Sequence, residues 1–229
     1  MVKNKSEEEL FLEKYDKEKY EKISVAVDLL VFTVENDELK LLVIKRNEMP
    51  YKDYLALPGV FVGVDESLEE AVKRGIREET GVENIYFEQL YTWGEVDRDP
   101  RMRIISVSYM ALVPLESLRM RVGMRVSEVL LMSVDELLEQ KDKIGFDHGK
   151  IIEYARERLR NKVEYSKIAF ELVPKEFTLP QLQRIYEIIL GHPLYKANFR
   201  KKISEMICQT DRYTSGNAHR PSQYYRLKE

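Results

Sequence analysis

The chain has 229 residues, a length that allows one large domain or two small ones. Its 44% hydrophobic and 34% charged residues supply enough apolar side chains for a packed core and exclude a disordered tail. A net charge of −3 excludes a uniformly basic nucleic-acid coat, and a single cysteine, Cys208, excludes an intrachain disulfide and a cysteine metal cluster.

Residues 7–22 are charged throughout and read as a short helix or arm. The opening segment has no apolar h-region, and the most apolar run, Ile23 to Phe32, is interrupted by Asp28 and too short to span a bilayer. A soluble cytoplasmic protein with no membrane partner is therefore expected. Residues 23–33 are rich in β-branched side chains and predict a buried strand. The turn Glu35-Asn36-Asp37 returns it to a hairpin partner at 38–46. Leu57-Pro58-Gly59 leads into a short strand, Val60 to Val64. A helix follows over 67–80, with Ser67 and Glu70 as a capping box, an apolar stripe of Leu68, Ala71, Val72 and Ile76, and Gly81 at its end. Strands at 84–93 and 103–114 flank a charged loop, Glu95 to Arg101, and 126–132 reads as another strand. Helices are predicted at 134–141 and 148–163, the second with Ile151, Ile152, Ala155 and Leu159 inward. Strands with interleaved helices predict an α/β or α+β sandwich.

The pattern changes after about residue 170. Thr178 and Gln181 form a second capping box, with Pro180 in the first helical turn, where its missing N–H costs nothing. The helix 179–190 presents Leu182, Ile185, Tyr186 and Ile189 on one face, and Gly191-His192-Pro193 breaks it. A second helix, about 195–208, turns Phe199, Ile203 and Met206 inward. Its other face carries Lys196, Asn198, Arg200, Lys201 and Lys202. A polar stretch, Asp211 to Ser222, then precedes Gln223-Tyr-Tyr-Arg-Leu. Helix, tight turn, basic helix and hairpin is the order of a winged helix-turn-helix, whose second helix enters the DNA major groove.

Charge supports that division. Residues 175–229 hold ten Lys and Arg against five Asp and Glu, a surplus of five positive charges; the remainder of the chain is therefore at −8. Arg200, Lys201 and Lys202 fan over half a helical turn, where phosphates and a base edge are within reach. Asn198 either reads adenine or caps the helix. Arg212, His219 and Arg220 suit a wing along the phosphate backbone. Cys208 is expected buried in the winged domain.

Residues 57–82, LPGVFVGVDESLEEAVKRGIREETGV, resemble the Nudix box, G-x5-E-x7-R-E-U-x-E-E-x-G-U, where U is a bulky aliphatic residue. Aligned on Glu78-Glu79-Thr80-Gly81-Val82, the box places its first Glu at Glu66, its Arg at Arg74 and its aliphatic at Ile76. Two positions depart: Val60 stands at the opening Gly, and Gly75 at the Glu after the Arg. Positions 75, 78 and 79 would share a helix face, and in an active box three Glu there hold magnesium and orient water. Gly75 removes one of the three. Glu78 and Glu79 either hold a weak metal or are structural, with Glu79 pairing with Arg74; the vestigial reading is preferred.

Beyond the box, DRDPRMRIISVSYMALV (97–113), FDHGKIIEYARERLRNKVEYSKIAFELVP (146–174), FTLPQLQRIYEIILG (177–191), NFRKKI (198–203) and RPSQYYRL (220–227) resemble the Nudix-related transcriptional regulators of the NrtR group. That resemblance implies a Nudix-type α/β/α sandwich over 1–165 with an N-terminal helical arm, then a winged helix-turn-helix over 166–229. Only Gly216 is present where the family commonly has a Gly-rich wing. The resemblance further implies a DNA operator as partner and a small-molecule effector, ADP-ribose or a related nucleotide sugar, or a sugar. Arg98, Arg101 and Arg103 are candidates to hold that effector, or else pair with Asp97 and Asp99. Phe61 and Trp93 are candidates to stack on a base. His148 reads as a helix start. A homodimer is expected because helix-turn-helix proteins usually read palindromic sites. The alternative is a magnesium-dependent Nudix hydrolase of ADP-ribose or a related nucleoside diphosphate, with Glu78 and Glu79 on the metal.

Overall fold

Strand β1 (Ser24–Glu35) is buried without a break from Val27 to Thr33, which requires cover on both faces. The computed structural model describes residues 6–80, 85–118, 126–215 and 221–228, with backbone alone for Glu79, Thr80, Val126 and Ser127. Helix α1 (Glu7–Lys14) precedes β1. Asn36 and Asp37, both at positive φ, turn the chain into β2 (Glu38–Arg46), antiparallel to β1. Then come β3 (Leu55–Ala56), β4 (Gly59–Phe61), α2 (Leu68–Thr80), β5 (Tyr86–Trp93), β6 (Ile104–Leu112), β7 (Val126–Ser133), α3 (Val134–Glu139) and α4 (His148–Tyr165). β6 runs parallel to β1 on its far side, and the sheet order is β3-β2-β1-β6-β5, with β4 on β1 and β7 on β2.

Alternation along β1 builds the layers. Val27, Leu29 and Val31 face Ala71, Val72 and Ile76 of α2, while Leu30 and Phe32 face Ile151, Ile152, Ala155 and Leu159 of α4. This is an α/β/α sandwich. Beyond α4 lie β8 (Phe177–Thr178), α5 (Leu179–Leu190), α6 (Lys196–Ile203), β9 (Ile207–Tyr213) and β10 (Gln223–Leu227), with small-sheet order β8-β10-β9. Both expected capping boxes form, and Gly191 ends α5 at φ 80°. The α4-side core continues through Val163 into Leu182, Tyr186, Phe199 and Ile203, so the winged helix shares its hydrophobic core with the sandwich.

Three predicted elements end early. The arm is helical only to Lys14, because Tyr15 turns extended. The strand expected to Val64 ends at Phe61: after a last bond from the Val62 N–H to the Val25 carbonyl at 2.9 Å, the Gly63 N–H goes to the Glu66 carboxylate at 2.8 Å. The helix expected to 208 stops at Ile203: the Ser204 hydroxyl donates to the Lys201 carbonyl, and Ile207 and Cys208 join β9 opposite Leu227 and Arg226. Cys208 is consequently half-buried rather than enclosed, its sulfur accepting from Arg226 Nε at 3.4 Å.

Candidate effector cleft and nucleic-acid interface

A small cleft of about 100 Å³ opens where β1, β4, the 98–104 segment and the start of α4 meet. Its base is a buried ion network. Arg98, with a side chain 4% exposed, gives Nη2 to Asp28 at 3.2 Å, and gives Nε and Nη2 to Asp147 at 3.0 and 2.7 Å. Ser106 donates to Asp28 at 2.6 Å. His148 Nδ1 accepts from the Leu57 N–H at 2.9 Å, so the neutral ring carries its proton on Nε2, 3.7 Å from Asp28. Burial pushes the His148 pKa down, and Arg98 and Arg46 push it further; Asp28 and Asp147 oppose this without prevailing. Burial also opposes the charge on Arg98, but Asp147 and Asp28 outweigh it and hold its pKa raised. At the rim, Arg46 and Arg101 stand 4.9 and 5.7 Å from the Phe146 ring centroid.

The three candidate effector arginines therefore differ. Arg98 lines the cleft but is bound by Asp28 and Asp147, not by Asp97 or Asp99. Arg101 is half-exposed and pairs with Asp99 at 2.7 Å, as one of the two readings had it. Arg103 spends its guanidinium on the Glu95 and Gly94 carbonyls at 2.7 and 2.8 Å, which holds the loop. Phe61 lines the cleft and is exposed. Trp93 lies elsewhere: its indole donates to Ser108 at 2.9 Å, within an aromatic cluster against α4. Asp28, Ser106, Asp147, Arg46 and Phe146 were absent from the sequence-derived site. The one available signal was Asp28, a lone charge inside a buried apolar run.

The box helix α2 is built around Arg74. Its Nη2 and Nε meet the Glu66 carboxylate at 2.6 and 3.2 Å, its Nη2 also meets the Phe61 carbonyl at 3.0 Å, and its Nη1 lies 3.7 Å from Glu78. Arg74 thus pairs with Glu66 and lies near Glu78, while the Glu79 side chain, expected to pair with it, lies outside the described residues. Gly75 packs against the sheet. It is buried, and a Cβ there would stand 2.8 Å from Leu29 Cδ1 and 3.4 Å from Val60 Cγ2. The two departures from the box therefore face one another, with bulk added at 60 where it is missing at 75. Glu66 is committed to Arg74 and Gly63, and among the described residues no group of three His, Cys, Asp or Glu is arranged to hold a metal.

The other site is the outer face of α6. Lys196, Asn198, Arg200, Lys201 and Lys202 are all exposed there, while Phe199 and Ile203 anchor the inner face. Arg200 and Lys201 make no ion pair among the described residues. Asn198 is the third helical residue behind the N-cap Tyr195, so it does not cap the helix. Lys202 folds back, with its ammonium 5.2 Å from the centroid of Tyr186. Burial pushes the Tyr186 phenol up to about 12. The turn before α6 is fixed by Glu187, which accepts the Leu194 N–H at 3.0 Å, and by Gln183, which donates to the Leu194 carbonyl at 2.9 Å. In the wing, Arg212 is paired with Glu176 at 2.7 Å. His219, Arg220 and Gly216 lie outside the described residues.

Family comparisons agree with this two-part geometry. A model of the NUDIX domain matches residues 24–155, and a model described as the NrtR DNA-binding winged helix domain matches residues 169–227. The ADPR responsive transcriptional repressor NtrR of Acinetobacter baylyi is 36% identical over 228 residues, covering 98% of this chain and 90% of that protein. The crystal structure of Shewanella oneidensis NrtR complexed with a 27-mer DNA aligns with TM-score 0.79 at 34% identity, over 89% of this chain and 93% of that one. The NUDIX domain of the same Shewanella protein, in complex with ADP ribose, aligns with TM-score 0.60 at 34% identity, over 68% of this chain and 99% of that one. The chain belongs to the NrtR family, in which a Nudix domain is followed by the NrtR DNA-binding winged helix.

Proposed function

We propose that this chain is a transcriptional repressor that holds operator DNA through α6 and its wing and answers to ADP-ribose in the cleft above Arg98. The carrying observation is the contrast in charge use: the cationic face of α6 is exposed, whereas Glu66 of the box is tied to Arg74. The DNA-bound and ADP-ribose-bound Shewanella relatives support the pairing of these two ligands. The cleft is smaller than the ~300–1,000 Å³ usual for small-molecule pockets. It therefore takes one part of the effector, the diphosphate beside Arg101, with a flanking ring over Phe61. No magnesium-dependent hydrolysis accompanies binding.

α4 joins the two sites. Asp147 and His148 at its start belong to the cleft network, and Arg160 three turns on donates to the Ile189 carbonyl at 3.3 Å, just before the turn into α6. A dimer with two α6 helices one DNA turn apart completes the reading. The test is anisotropy of the full chain on duplexes from upstream of its own and neighbouring genes. Selective binding that ADP-ribose weakens is expected. No selective fragment, together with steady hydrolysis of ADP-ribose, would replace the repressor with the hydrolase.

A further inference from the structure

Helix α1 has the local devices of a stable helix and no packing. Ser6 and Glu9 cap it reciprocally, at 3.2 and 2.7 Å, and Glu7, Glu8 and Glu9 fill its first turn. None of its residues is buried. Isolated helices below ~12–15 residues are marginal in water, so these eight residues need a surface. Leu10, Phe11 and Leu12 are exposed, Phe11 to 62%, and Phe11 lies against Tyr15 with ring centroids 5.8 Å apart.

A second apolar surface is uncovered on the sandwich. Tyr91 and Trp93 of the edge strand β5 form a mutual cluster with Tyr154 of α4, at centroid distances of 5.0, 5.3 and 5.8 Å. Tyr91 is 50% and Tyr154 40% exposed. Lys150 and Arg158, one helical turn either side of Tyr154, are exposed and make no ion pair among the described residues. The arm carries the opposite sign in the matching place, with Glu7 and Glu8 one turn before Phe11.

The patch sits at the end of the sheet where the chain from the arm enters β1. Ala26, Ser106 and Trp93 form a row across β1, β6 and β5, so the patch is about 10 Å from the strand that the arm enters. The nine residues 15–23 can extend to about 30 Å, yet the arm leaves its own patch bare.

We propose that α1 of one copy docks on the Tyr91–Trp93–Tyr154 patch of a second copy, with Glu7 and Glu8 facing Lys150 and Arg158. The contact is reciprocal about a two-fold axis, arm to patch and patch to arm. It rests on the dimer reading above and names its contact.

The test uses the full chain with Cys208→Ser, prepared separately as Phe11→Cys and as Tyr154→Cys. The two are mixed and treated with a short bis-maleimide, while sedimentation reports assembly. A mixed cross-link at twice the chain mass is expected. Glu7→Lys with Glu8→Lys should raise the dimer dissociation constant by more than about tenfold, and adding Lys150→Glu with Arg158→Glu should restore it. A dimer with neither mixed cross-link nor charge rescue would overturn this contact and leave the dimer reading standing. A monomer at every concentration would overturn both. A link formed only when both cysteines are in one chain would overturn the exchange.

Discussion

Arginine does opposite work in the two halves of this molecule. In the cleft, Arg98 is enclosed and neutralised by Asp28 from β1 and Asp147 from the start of α4, residues 70 and 49 positions away. On α6, Arg200 and Lys201 project from a helix whose opposite side is anchored by Phe199 and Ile203. A buried cation with its carboxylates is a structural and positioning element, costly to break. An exposed cation without them is free to replace counterions on a phosphate backbone. Where a charge sits relative to the core, not its residue type, separates scaffold from interface.

The contrast breaks most sharply at Arg98. Arg98→Ala leaves two buried carboxylates without their cation and should cost about 3–5 kcal/mol of unfolding free energy, measured by chemical denaturation. A loss under about 1 kcal/mol, the scale of a surface pair, would mean the network is solvated.

Gly75→Glu comes next. Overpacking against Leu29 and Val60 should cost about 1–3 kcal/mol, partly offset by the ~1 kcal/mol that a helix gains on losing a mid-helix Gly. The variant should melt lower and gain no hydrolysis of ADP-ribose. Recovered turnover would show that position 75 can face a metal after all.

Arg200→Ala should weaken cognate DNA by about 1–3 kcal/mol if it meets a guanine edge. Lys201→Ala should flatten the dependence of log affinity on log salt by about one unit if it meets a phosphate. Lys202→Ala should do less than either, because its ammonium already lies over Tyr186. Equal effects across the three would argue for a featureless basic face.

The smallest effect is in pH. His148 is held neutral, with its folded pKa below its unfolded value near 6.5. The unfolded chain therefore binds the extra proton first, so the stability this group contributes is full above pH 6.5 and is lost as pH falls below it. His148→Asn should flatten the fall in denaturation midpoint between about pH 7.5 and 5.5. An unchanged slope would place the acid sensitivity elsewhere.

Elements with strong local signals were legible in the sequence. The two capping boxes at Ser67 and Thr178, the stop at Gly191 and the α6 face need only a few neighbouring residues to declare themselves. The cleft was not legible, because its parts come from five separate segments. Arg98 looked like an effector ligand because its partners are remote, and Asp28 showed only as an interruption in an apolar run. Gly75 was readable as a lost carboxylate but not as a packing position, since its contact with Leu29 and Val60 exists only once α2 lies on the sheet. The end of α6 was overrun because Ile207 and Cys208 continue an apolar pattern that β10 draws into a strand.

The central claim, a cleft that senses and a helix that binds DNA, is tested most directly by one titration. The full chain is held on its labelled upstream duplex at fixed salt, ADP-ribose with magnesium is added, and anisotropy and nucleotide products are followed in the same sample. The account predicts that DNA is released as ADP-ribose rises while the nucleotide stays intact. Turnover above ~1 per second, in the range of working enzymes, with DNA binding indifferent to ADP-ribose, would contradict it.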